Sequence, residues 1–182
     1  MRTFIALELP REILLEIVRI QDQIKKQSLF NGKYTEARNL HLTIKFLGEV
    51  KEEEINSIKE ILSNVKLDCF EATLGEIGVF SKNKPRIIWI KLNGKGIFEL
   101  QKQIDEKLKD RFPIETRFMS HITIARTKDV SYNKGLVDYI SGIKNKKIKF
   151  IVNSFYLKKS ELFPAGPIYT DIEKFSFDKK IN

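Results

Sequence analysis

The sequence predicts an α+β fold of two similar lobes related by an approximate twofold axis, with a ligand site in the cleft between them. Three observations carry this. Strand and helix periods alternate along the 182 residues with no Pro/Gly/Ser-rich linker and no low-complexity tract. The order of elements starts again after residue 82. The only two histidines, His41 and His121, open the same four-residue frame, HLTI and HITI.

The elements follow in order. TFIALEL (3–9) reads as a strand. Pro10 then opens a helix whose apolar stripe is Ile13, Ile17, Ile20 and Ile24, three or four residues apart. HLTIKFL (41–47) is a strand closed by Gly48. KEEEINSIKEILSNV (51–65) is a helix, with acids in the first turn where the dipole favours them and Ile55, Ile58, Leu62 and Val65 on one face. FEATLGEIGVF (70–80) is a strand bent at its glycines. The second half repeats the series: a strand at 86–92 and a helix at 96–112 with Ile97, Leu100, Ile104 and Leu108 inward. A strand at 117–127 and a short helix at 134–143 come next, and strands at 147–157 and 167–177 finish the chain. Each half reads strand, helix, H-x-T strand, helix, strand. This predicts one domain built by internal duplication with a period of about 80 residues, dividing near 1–82 and 83–182, with room for strand exchange between the lobes.

Length and composition limit the function classes. A chain of 182 residues buries a real core, and 42% hydrophobic with 31% charged residues excludes a disordered segment. The single cysteine, Cys69, excludes an internal disulfide and fits a reducing compartment. No apolar run approaches the roughly 20 residues that span a bilayer. The opening MRTFIALELPREIL reads as a strand running into a helix and not as a secretory signal. A cytoplasmic protein is expected, with no membrane partner. The net charge of +9 favours polyanions, nucleic acid first, although a run such as KNKKIK (144–149) is more often a solvated turn than a contact patch.

The two H-x-T strands carry the chemistry. Alternation puts His41 and Thr43 on one face and Leu42 and Ile44 on the other; His121 and Thr123 stand likewise against Ile122 and Ile124. The aliphatic faces are core, so an imidazole and a hydroxyl share the free face of each strand. One such pair reads as a structural histidine. Two pairs that use every histidine read as a shared site. Histidine gives and takes protons near neutrality, and two imidazoles flanking a phosphodiester suit in-line general acid–base chemistry. The threonine hydroxyls suit the non-bridging phosphate oxygens. A metal site is the rival use. Zinc takes three or four protein ligands, and the nearest carboxylate, Glu49, lies beyond its strand; Cys69 has no histidine near it and reads as a small core residue. Neither metal nor cofactor is expected. A binding module that keeps the cleft but lacks turnover stays open.

HLTIKFLGEV and HITIAR resemble the paired motifs of the two-histidine phosphoesterase superfamily, and within it the RNA 2′,3′-cyclic phosphodiesterase (2′-5′ RNA ligase) family. MRTFIALELP is similar to that family's first strand, KPRIIWI to its Pro-Arg-x-x-Trp strand, and SELFPAGPIYTDIEKFSF to its closing hairpin. The resemblance implies a bilobal fold with antiparallel-rich sheets around the active cleft. It implies metal-free opening of RNA 2′,3′-cyclic phosphates to 2′-phosphates; the natural RNA, tRNA fragments or other ends, and reversible 2′-5′ ligation stay open. His41 would be the proton donor to the departing 3′ oxygen and His121 the acceptor from water. Thr43, Thr123 and Arg126 would bind phosphate. A monomer without an obligate protein partner is expected. Small cyclic nucleotides and 2′-5′ linkages are the alternative substrates. Arg126 has the opposite parity to His121 and reaches the cleft only if the strand ends, bulges or twists. Ser120 stands where the family commonly has proline. Phe46 has the parity of Leu42 and Ile44, which predicts core packing, while Trp89 is open as a stacking surface for a base.

Overall fold

The computed structural model describes residues 1–164 and 166–178. Its strands are β1 (Arg2–Leu7), β2 (Phe30–Tyr34), β3 (Leu42–Glu49), β4 (Phe70–Phe80), β5 (Ile87–Asn93), β6 (His121–Val130), β7 (Lys149–Val152), β8 (Ser154–Phe163) and β9 (Gly166–Ser176). Its α-helices are α1 (Arg11–Lys25), α2 (Ile55–Ser63), α3 (Lys95–Leu108) and α4 (Asn133–Gly142).

The strands form one curled antiparallel sheet in the order β7-β4-β5-β6-β3-β1-β8-β9, with β2 added on β6. Two four-stranded units meet where β6 and β3 touch, at the single residue pair Leu42 and Ile122. The units do not follow the chain. β4 comes from the first half yet pairs with β5, and β8 comes from the second half yet pairs with β1. Helices cover the outer face: α1 packs on β6, α3 on β3 and β4, and α4 on β4. The isoleucine stripe of α1 at 13, 17, 20 and 24 is fully buried, as are Ile97, Leu100, Ile104 and Leu108 of α3. Each such side chain contributes about 1.5–3 kcal/mol on leaving water.

Three differences from the sequence reading bear on how the strands are arranged. The segment FNGKY forms β2, an edge strand with no alternation to announce it; its Gly32 lies so close to β6 that a Cβ would fall 2.2 Å from the Arg126 carbonyl oxygen. The strand expected over 147–157 breaks at Asn153, because β7 and β8 belong to opposite units. The strand expected from 117 begins at His121. None of the helices among the described residues is long and apolar enough to cross a membrane.

Candidate functional site

The site is built where β3 and β6 join. Antiparallel geometry around the Leu42–Ile122 pair sets His41 beside Thr123 and Thr43 beside His121. Leu42, Ile44, Ile122 and Ile124 are buried on the helix-covered face, while the two histidines and two threonines are partly buried on the other. Each ring is tethered alike. His41 Nδ1 donates to the Asn39 carbonyl at 2.7 Å, and His121 Nδ1 donates to the Met119 carbonyl at 2.8 Å. Both tethers hold the proton on Nδ1 and leave Nε2 as the working nitrogen. The Thr43 hydroxyl donates to His41 Nε2 at 3.0 Å. An aromatic ring meets each imidazole nearly at right angles, Tyr169 against His41 at 5.2 Å and Phe80 against His121 at 4.9 Å. Phe4 supports His41 from a third side at 5.0 Å.

Both strands bulge at the same place. The β1–β3 register runs Ala6 to Thr43 and then Ile5 to Lys45, passing over Ile44; the β5–β6 register runs Trp89 to Thr123 and then Ile88 to Ala125, passing over Ile124. One extra residue exchanges the two faces of the strand beyond it. Lys45 and Ala125 therefore turn inward and are buried, and Phe46 and Arg126 turn outward onto the cleft face. The expected core packing of Phe46 is overturned, since its side chain is 75% exposed beside Phe4. The condition set for Arg126 is met by the bulge. Its charge is felt at Tyr169, whose phenol burial raises and Arg126 lowers.

Side chains from the helices hold both bulges. The buried Lys45 ammonium pairs with Asp105 of α3 and donates to the Pro113 carbonyl at 2.6 Å. Gln101 donates to the same carboxylate at 2.5 Å. On the other strand Gln21 of α1 donates to the Ile124 and Thr35 carbonyls, both at 2.8 Å.

His41 opens into a pocket of about 300 Å³ that it lines with Glu8, Arg38, Lys158, Tyr169 and Asp171 among others. Burial lowers its pKa from the ordinary 6.5 to about 4, against the Asn39 carbonyl, which raises it; Lys158 and His121 lower it further and Glu8 raises it. The free ring is therefore neutral at pH 7. Lys158 is buried and reaches Glu8 at 2.6 Å as well as Asp171.

Other residues behave differently from their sequence reading. Trp89 is 8% exposed, lying over Gly78 and against Phe80, so it is packing and not a stacking surface. Ser120 is buried and donates to the Leu92 carbonyl at 2.5 Å, pinning the start of β6 where proline would have stiffened it. Sequence periodicity did not single out Asn39, whose amide donates to the Pro167 carbonyl at 2.9 Å, nor Tyr169 and Phe80. Tyr169 and Phe80 reach the histidines through strand pairing, which leaves no periodic trace, and Asn39 acts through its backbone carbonyl, which any residue supplies. Among the described residues no three His, Cys, Asp or Glu side chains gather as a metal site.

The chain is similar to known proteins over nearly its whole length. A family model described as LigT-like phosphoesterase matches residues 7–89 and 91–169. An RNA 2′,3′-cyclic phosphodiesterase of Methanocaldococcus jannaschii is 38% identical over 179 residues, 96% of this chain and 100% of that protein. A crystal structure from Thermus thermophilus has a TM-score of 0.84 at 30% identity, covering 97% of both chains. Escherichia coli LigT complexed with 3′-AMP shares the fold, with a TM-score of 0.80 at 23% identity over 98% of both chains.

Proposed function

The chain belongs to the LigT-like phosphoesterase family and is an enzyme, and we propose that it opens terminal 2′,3′-cyclic phosphates on RNA to 2′-phosphomonoesters without a metal ion. The observation that carries this is the matched pair of imidazoles, each tethered through Nδ1 and set on one face beside the Leu42–Ile122 joint. Binding alone needs positive charge, not two working ring nitrogens.

In the proposed reaction His121 Nε2 takes a proton from water as the water oxygen bonds to phosphorus. The bond from phosphorus to the 3′ oxygen breaks, and His41 gives that oxygen a proton. The phosphate stays on the 2′ oxygen. His41 is neutral in the free cleft, so its donor role depends on the substrate: an anionic phosphate beside the ring favours the imidazolium. Thr43 and Thr123 donate to the non-bridging oxygens, and Arg126 adds a guanidinium. The exposed Phe46 ring offers a stacking surface to the terminal base. The names of the relatives support an RNA substrate. The matches over 7–89 and 91–169 support reading the halves as repeats within one domain; the pairing of β4 with β5 and of β8 with β1 supports an exchange of strands between them, and the protein is taken to act as a monomer.

An oligonucleotide ending in 2′,3′-cyclic phosphate tests this. Opening in the presence of EDTA with a 2′-phosphate product is expected. Loss of activity in EDTA, or a 3′-phosphate product, overturns the reaction as written. Binding of cyclic-ended RNA without turnover replaces it with a binding module. A panel of 2′,3′-cyclic mononucleotides separates RNA from small cyclic nucleotides as substrate, and joining of 5′-hydroxyl ends reports 2′-5′ ligation.

A further inference from the structure

Apart from His41, none of the residues lining the pocket beside it has a part in the reaction at phosphorus proposed above. The pocket adjoins the ring that protonates the departing 3′ oxygen, so it lies on the side of the cleft where the ribose stands. Its chemistry is mixed. Glu8 and Asp171 are both engaged by the buried Lys158, which leaves that cation no freedom to take a phosphate while their remaining lone pairs can accept from hydroxyls. Thr170 adds a hydroxyl. Arg38 is the remaining cation of the lining; its side chain is 66% exposed, and that of its partner Glu36, at 2.7 Å, is 52% exposed. An ion pair held that loosely in water contributes little and exchanges readily for a better anion. The pocket thus presents carboxylates to sugar hydroxyls and one available guanidinium to a phosphate. Inorganic phosphate would meet two carboxylates there, whereas a ribonucleotide satisfies both kinds of group. The volume of about 300 Å³ stands at the lower end of ligand pockets.

Arg38 is also placed by the chain. It lies three residues before His41, in the short 3₁₀ turn Ala37–Asn39, and the next residue, Asn39, tethers the His41 ring. The backbone of Arg38 is therefore anchored beside the proton donor, while its exposed side chain is free to swing toward a group bound in the pocket.

We infer that this pocket is a subsite for the nucleotide link on the 5′ side of the cyclic end, with Arg38 gripping the first internal phosphodiester. The inference rests on the reaction proposed above and adds its substrate class: the enzyme prefers oligonucleotide ends that carry at least one internal phosphodiester over cyclic mononucleotides. A planar guanidinium takes two oxygens of a phosphodiester side by side, which lysine does not reproduce.

The test compares kcat/KM for a 2′,3′-cyclic mononucleotide with that for the dinucleotide bearing the same cyclic end. The native enzyme should favour the dinucleotide by about tenfold, the scale of a charged hydrogen bond. Arg38→Ala should abolish that advantage through KM and leave the mononucleotide rate unchanged, and Arg38→Lys should restore only part of it. Added salt should shrink the native ratio of dinucleotide to mononucleotide kcat/KM and leave the Arg38→Ala ratio near one. No native preference for the dinucleotide overturns the inference, as does a preference that survives in Arg38→Ala. An equal loss on both substrates would show that Arg38 serves the backbone around His41 and would overturn it too. If the native enzyme opens neither substrate, the proposed reaction itself has failed, which is a separate result.

Discussion

The two histidine strands, β3 and β6, share a plan and differ in what they deliver. Both carry H-x-T, both tether Nδ1 to a carbonyl two residues upstream, and both bulge one residue after the threonine. Beyond the bulge the same cleft position holds Phe46 on one strand and Arg126 on the other, and the inward position holds Lys45 on one and Ala125 on the other. The shared backbone irregularity fixes where a side chain points, and the residue placed there decides what each rim offers. Matched frames thus yield an unmatched cleft, with an aromatic surface on one side and a cation on the other.

The sharpest test of the shared part is to remove either ring. His41→Ala and His121→Ala should each lower kcat by about 10²–10⁴ while RNA binding persists; a large loss from only one of them would break the equivalence. The next effect is on stability. Asp105→Ala leaves the buried Lys45 ammonium unpaired and should cost about 3–5 kcal/mol in urea unfolding. The inward side chain of the matching position, Ala125, has no charge to strand. The unmatched rims come third. Arg126→Ala should lower kcat/KM by about 10–10² and chiefly through kcat, as expected for a donor to transition-state charge. Phe46→Ala should raise KM by about tenfold and leave kcat near its native value, as a lost stacking surface does. Equal behaviour of these two variants would erase the proposed division between the rims.

A last test reads stability against pH and not activity. His41 titrates near 4 when folded and near 6.5 in an unfolded chain. Between those values the unfolded state holds more protons, so stability rises with pH through the window and falls as the solution is acidified from about 6.5 to 4. The thermal midpoint should show this slope, and His41→Phe should flatten it.

Much of this plan was legible in the amino-acid order. The four helices show as apolar stripes because burial on one side leaves a 3.6-residue period. The H-x-T frames show because an unused face of a strand has no reason to hold the whole histidine supply. What stayed hidden depends on pairing between distant strands. Nothing in KFLG or ARTK marks a bulge, so parity placed Phe46 in the core and left Arg126 conditional. β2 escaped because FNGKY has neither alternation nor an apolar run, and it exists only as an addition to β6. Tyr169 meets His41 across 128 residues of chain, and no spacing rule links the two.

The crossing of β4 into the unit of β5, and of β8 into that of β1, has a consequence for how the chain can be divided. A cut in the turn between Phe80 and Ile87 would give two fragments, each lacking a neighbour that its own strands require. Neither piece owns a complete sheet, so the fragments should gain structure only when mixed. Whatever its origin in repetition, the molecule has become indivisible.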